Sequence, residues 1–225
     1  MNKVAKAAIL AIAAFTAFAT PAAAKTPALF NTIEYRSNDH DPLPQWQKAM
    51  TKIAKEQASY ATSSSKAVRA WQAMIRRNKD ARQFDQLHAV NGFINQWRYR
   101  ADSYNYSQSD YWASPAEFFQ RSGDCEDYAI AKYVTLRQMG FSAEQLRLVV
   151  VKDLNQNLAH AVLAAYVGGD IFILDNITSN IRAQADVTEY VPYYSVNEQA
   201  RWAHAAAPAA PSAKIASAAG LFSKS

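Results

Sequence analysis

Cys125 is the only cysteine among 225 residues, and it stands in the run Gly123-Asp124-Cys125-Glu126-Asp127. One cysteine allows no intramolecular disulfide and no multi-cysteine zinc site. Gly123 breaks the preceding helix pattern, and a new helix is predicted from Asp124 or Cys125 to about Met139, with Gly140 as its stop. A helix start lowers a thiol pKa and offers backbone N–H groups to an oxyanion, so the position suits a nucleophile. Such a thiol needs a base. His88 falls on a helical pattern, and His40 and His204 lie in weakly patterned ends. His160 opens a predicted strand and Asp175 closes the next. If Gly168-Gly169 is a two-residue hairpin turn, Val162 faces Asp175, and His160 is its diagonal neighbour on one face, within reach of a His–carboxylate bond. A three-residue loop puts the two on opposite faces. The competing reading is a buried, inert cysteine with a polar strand-end histidine.

Three carboxylates beside a thiol oppose its ionisation by like-charge repulsion. Either some of them point to solvent, or a bound hard cation neutralises them. Oxygen donors at this density suit Ca²⁺ better than a thiolate-seeking metal, and the loop Asp102 to Trp112 can add carbonyl oxygens.

The elements that must position these groups fall in two blocks. Helices are predicted around Trp46, Met50, Ile53 and Gln57; around Val68, Trp71 and Ile75; and around Phe84, Leu87, Val90, Ile94 and Trp97. Residues 25–44 read as an extended lead-in and 101–113 as irregular. Ser114-Pro115-Ala116-Glu117 has the form of a capping box opening a short helix. After the cysteine helix, with Ala129, Tyr133 and Leu136 as its buried stripe, strands are predicted over Leu146–Lys152, His160–Val167, Ile171–Asn176 and Asp186–Val196. Helices followed by an antiparallel sheet make an α+β architecture.

Half of the residues are hydrophobic and 19% are charged, which excludes a wholly disordered chain. Residues 1–24 read as a cleavable signal peptide: Lys3 and Lys6, an uncharged apolar run from Ala7 to Thr20, then Ala22-Ala23-Ala24. Its removal changes the net charge from +5 to +3, with no clustered basic face, so nucleic acid is not an expected partner. The expected layout is a signal peptide over 1–24, a catalytic domain over 25–204, and an Ala/Pro/Ser-rich disordered tail over 205–225, exported to a bacterial periplasm and not inserted in the membrane after cleavage. A free thiol in an oxidising compartment is itself unusual.

Gly123-Asp124-Cys125-Glu126-Asp127-Tyr128 followed by a helix, His160 opening one strand, Asp175 in the next, and Tyr111-Trp112-Ala113-Ser114-Pro115 ahead of them resemble the bacterial transglutaminase-like cysteine peptidases, and within them the LapG-type periplasmic proteases. The resemblance spans roughly residues 30–200. It implies a papain- or transglutaminase-like fold, with the cysteine helix packed on an antiparallel sheet. It also implies Ca²⁺-dependent endoproteolysis of a large surface adhesin near an Ala-Ala site in its N-terminal region, which releases the adhesin and disperses biofilm. The partner it implies is an inner-membrane cyclic di-GMP receptor that sequesters the protease. Its calcium ligands map to Asp124 and Glu126; Asp127 is a lesser candidate, since it can instead cap the helix.

The expected mechanism is an acyl-enzyme route with Cys125 as nucleophile, His160 as base and Asp175 orienting the imidazole. Two alternatives stay open at this point. One is a transglutaminase or amidase acting on cell-wall peptides or glutamine side chains, which the same triad would serve. The other is a non-catalytic binding module.

Overall fold

A computed structural model describes residues 28–108 and 110–207; the expected signal peptide and, of the expected tail, residues 208–225 lie outside these. Helix α1 (Pro44–Glu56) starts with Pro44 in its first turn and buries Trp46, Ala49 and Ile53. Helix α2 (Lys66–Asn78) is capped by Ser65, whose Oγ accepts from Val68 N at 3.4 Å, and buries Val68, Trp71, Met74 and Ile75. Helix α3 (Gln83–Ile94) buries Leu87, Val90 and Ile94. The stripe expected for α3 is too long: Trp97 lies past the helix end, and Phe84 is 41% exposed in the first turn, resting edge-on against Phe172. The segment read as irregular carries one helical turn, α4 (Asp102–Asn105).

The capping box forms as expected and opens α5 (Pro115–Arg121): Ser114 Oγ accepts from Glu117 N, and Glu117 Oε2 accepts from Ser114 N at 3.0 Å. Helix α6 (Cys125–Gln138) carries the cysteine as its first residue, and Gly140, at φ +101°, follows its end. The three-residue stripe expected for α6 is too narrow. Every residue from Asp127 to Leu136 is buried, because the sheet covers one side and α3 and α5 cover the other.

The seven strands are β1 (Ile33–Ser37), β2 (Leu146–Asp153), β3 (Leu158–Val167), β4 (Asp170–Leu174), β5 (Arg182–Ala183), β6 (Tyr190–Val196) and β7 (Arg201–Ala205). They form one sheet in the order β1-β7-β6-β2-β3-β4-β5, with all neighbours antiparallel. Strand alternation makes two apolar layers. Leu146, Leu148, Leu163, Ala165 and Leu174 face the helices, while Val149, Val151, Val162, Ala164 and Ile173 pack on the reverse face with Leu29 and Val187. The fold is thus α+β, with the cysteine helix laid on an antiparallel sheet.

Three strands are not anticipated by the sequence pattern: the two-residue β5, and β1 and β7. β1 lies inside the expected lead-in, and β7 pairs with both β1 and β6, so Ala205 ends a strand rather than beginning a tail. Both are five residues long, and β1 is an edge strand with no buried residue, so neither shows a clear apolar period. The last predicted strand begins later than expected, at Tyr190, after a 3₁₀ turn over Gln184–Asp186.

Candidate active site

The hairpin turn has two residues. Gly168 and Gly169 both have positive φ, +63° and +92°, as a type I′ turn requires, and Val167 pairs with Asp170. The register continues to Leu163 opposite Leu174, so the next position sets Val162 beside Asp175, with His160 on the diagonal. The bond anticipated from that register is present: His160 Nε2 lies 2.9 Å from Asp175 Oδ1. His160 Nδ1 is left free of this bond. Asp175 is 2% exposed and also accepts from Ile177 N at 3.0 Å and from Tyr190 Oη at 2.6 Å. Burial alone would raise its carboxyl pKa, but the hydrogen bond and charge of His160, with the donors from Ile177 and Tyr190, hold it down to about 2. Asp175 is therefore a firm anion. Tyr190, which completes its shell, is not foreseen from sequence, because only the β6 register brings it there.

The other half of the site is the start of α6. Asp127, fully buried at the third helical position, uses both carboxylate oxygens on backbone N–H groups: Asp124 N at 3.4 Å and Ala113 N at 2.7 Å. It is thus the cap that fastens the loop before α5 to the helix that carries the cysteine. Gly123 makes room for it, since a Cβ there would sit 2.1 Å from Asp127 Oδ2. Cys125 is half-buried, and its Sγ donates to Glu126 Oε2 at 3.2 Å. Burial pushes the thiol pKa up, the charges of Glu126 and Asp124 push it further, and the backbone of Ala161 on β3 opposes them.

Around this start the chain gathers carboxylates from two segments. Oxygens of Asp102, Asp110 and Glu126 lie within 4.8 Å of one another, as do those of Asp102, Asp124 and Asp127. Asp102 shares both groups. The loop before α5 therefore brings side-chain carboxylates and not only the carbonyl oxygens expected of it; Asp102 and Asp110 are additional candidates that sequence spacing alone does not single out. Burial pushes Asp102 up to about 6, opposed by a hydrogen bond from Tyr111 N and reinforced by Glu126 and Asp110. Burial, then Glu126 and Asp102, push Asp124 up to about 8. Asp102 Oδ1 and Asp124 Oδ1 are buried with no hydrogen-bond partner. Buried, partnerless oxygens on mutually repelling carboxylates are what a hard cation would satisfy, so the donor set fits calcium. Asp127 fits less well as a ligand, because its oxygens already serve the backbone.

Cys125 and His160 together line two cavities. One, of about 310 Å³, is walled by Trp46, Trp112 and Tyr194. The other, of about 460 Å³, is bordered by Tyr99, Leu158 and Ile177. With Ala159, the pair forms the wall that the two cavities share. His40, His88 and His204 are elsewhere: His40 bonds to Asn197 O, His88 meets Phe84 edge to face, and His204 bridges Thr32 and Ser195.

A cysteine at the head of a helix laid on an antiparallel sheet, sharing a cleft with a histidine on β3 and its aspartate just past the end of β4, defines a papain- or transglutaminase-like cysteine hydrolase. The sequence model of the bacterial transglutaminase-like cysteine proteinases matches residues 46–209, and the chain belongs to that family; it is a cysteine protease by membership. Solved structures of LapG from Legionella pneumophila are similar to it. The calcium-bound form is 35% identical with a TM-score of 0.59, over 67% of this chain and 87% of that one. The EGTA-treated form is 34% identical with a TM-score of 0.58, over 67% and 84%. No curated protein matches the chain. No helix among the described residues is long and apolar enough to cross a membrane.

Proposed function

We propose that this protein is a calcium-dependent endopeptidase of the periplasm. Its substrate is the N-terminal region of a large surface adhesin, cut near an Ala-Ala site, and the cut releases the adhesin and promotes biofilm dispersal. Its partner is an inner-membrane cyclic di-GMP receptor that holds the protease back. The observation that carries the catalytic part is the His160–Asp175 bond at 2.9 Å beside a cleft that Cys125 shares.

An extended peptide crossing both cavities brings a carbonyl carbon to their junction. His160 Nδ1 takes the Cys125 proton, and the thiolate adds to that carbon. The unpaired N–H groups at the head of α6, that of Cys125 among them, receive the oxyanion. His160 returns the proton to the leaving amine, and water then hydrolyses the thioester. Asp175 keeps Nε2 protonated and steadies the imidazolium. Asp102, Asp110, Asp124 and Glu126 would hold the calcium, which would supply positive charge beside the thiol and engage the Glu126 carboxylate that otherwise accepts the thiol's hydrogen bond. The calcium-bound and EGTA-treated forms of the Legionella protein support this reading.

The test is incubation of purified protein with adhesin N-terminal fragments. Wild type should cut near Ala-Ala, EGTA should stop the reaction and added Ca²⁺ restore it, and Cys125→Ala should be inert while folded. Cleavage by the Cys125→Ala variant would sink the nucleophile assignment, and indifference to chelator would sink the metal role.

A further inference from the structure

Helix α1 supplies no group to the triad or to the acid cluster, yet its side chains meet three consecutive residues of the loop before α5. Gln45 Nε2 donates to Asp110 Oδ2 at 2.8 Å. Lys52 Nζ donates to Tyr111 Oη and, at 2.7 Å, to Glu117 Oε1, which also accepts from Tyr111 Oη at 2.8 Å. The Trp46 ring meets Trp112 edge to face, with centroids 6.4 Å apart. Gln45 and Lys52 are about two helical turns apart and so share one face of α1. From these contacts the hydrogen bonds run on into the acids. Asp110 has its other oxygen on Trp112 Nε1 at 2.9 Å. Tyr111 N donates to Asp102 Oδ2, and Asp102 N donates to Asp124 Oδ2 at 3.3 Å. The ring of Tyr106 packs on that of Tyr111, with centroids 4.1 Å apart.

Asp102, Asp110 and Glu126 repel one another, and a loop whose only regular structure is the single turn of α4 would relieve that repulsion by opening. A frame outside the loop must therefore hold these oxygens together before a cation arrives. The affinity of a calcium site depends on how rigidly its ligands are held, and the partners behind the ligands set that rigidity. We propose that Gln45 and Lys52 are positioning residues of the calcium site: Gln45 fixes Asp110, and Lys52 fixes Tyr111, whose N–H fixes Asp102. The inference rests on the calcium reading made above. Lys52 lines neither of the cavities that Cys125 and His160 share, so it is the cleaner probe; Gln45 borders the one walled by Trp46.

The test is isothermal calorimetry of Ca²⁺ binding to the purified protein after the chelator is removed. Wild type is compared with Lys52→Met, Tyr111→Phe, the double variant and Gln45→Ala. Lys52→Met and Tyr111→Phe should each weaken calcium affinity about tenfold, and Gln45→Ala about threefold. Lysine and phenol act in one contact, so the double variant should bind calcium no more weakly than either single one. A merely structural contact would lower the melting temperature of the calcium-free protein and leave the affinity unchanged. Wild-type affinity in a folded Lys52→Met variant overturns the inference. Should Lys52→Met fail to fold by circular dichroism, wild-type affinity in Tyr111→Phe overturns it, since that variant keeps the backbone N–H and loses only the phenol. Absence of calcium binding by wild type would instead remove the calcium reading, which separates the two failures.

Discussion

On the β3–β4 side of the cleft both oxygens of Asp175 have donors, whereas at the start of α6 Asp102 and Asp124 each leave a buried oxygen with none. The same contrast appears in the acid–base behaviour. Asp175 is held down to about 2, while Asp102 and Asp124 are pushed up to about 6 and about 8. The base half is finished by the chain itself, with a histidine, a tyrosine and a backbone N–H closing round one carboxylate. The nucleophile half is frustrated: its carboxylates repel one another, and one of them accepts the thiol's hydrogen. This division assigns preorganisation to the hairpin and control to the acid cluster. If calcium completes the nucleophile half, as proposed, the protease would be inactive where calcium is scarce without any change of fold.

Damage to the finished half should have the largest effect. Asp175→Asn keeps the size of the side chain but removes the anion that orients His160, and kcat should fall by roughly 10²–10⁴-fold at every calcium concentration. Single-turnover cleavage across a calcium titration checks this. If excess Ca²⁺ restored the variant, the two halves would not be independent.

The frustrated half should respond in the opposite manner. Asp102→Asn removes the carboxylate common to both acid groups, so calcium affinity should weaken by about 10–100-fold while activity at saturating Ca²⁺ stays near wild type. Isothermal calorimetry gives the affinity, and the calcium-induced rise in melting temperature follows it by mass action. A variant with unaltered calcium affinity would move the ligand set away from Asp102.

What sequence reasoning can read divides along the same line. The base half is legible because it is local. A Gly-Gly turn fixes the register of two adjacent strands, and the register alone places His160 diagonal to Asp175. The helix that presents Cys125 is legible too, from Gly123 before it and Gly140 after it. The acid cluster is legible only in part, since Asp124 and Glu126 announce themselves beside the cysteine but Asp102 and Asp110 arrive by tertiary folding of a loop with no periodic signal. β1 and β7 escape because short strands with little apolar alternation look like loop.

His204 should give the smallest effect. Like His160, it sits on a strand of the same sheet with both ring nitrogens close to other groups, but its partners are hydroxyls: Thr32 Oγ1 at 2.8 Å from Nδ1 and Ser195 Oγ at 2.9 Å from Nε2. Burial, against the charge of Glu34 and with that of Arg147, brings its pKa down to about 4. The unfolded chain, titrating near 6.5, therefore binds more protons than the folded one between these values. This contribution to stability is complete above about pH 6.5 and is lost progressively as the pH falls towards 4. His204→Gln should leave proteolysis unchanged and flatten the fall in melting temperature over that window, as read by differential scanning fluorimetry from pH 7 to 4. Loss of activity in this variant would show that a strand histidine without a carboxylate partner serves catalysis, and would blur the distinction that the His160–Asp175 bond draws.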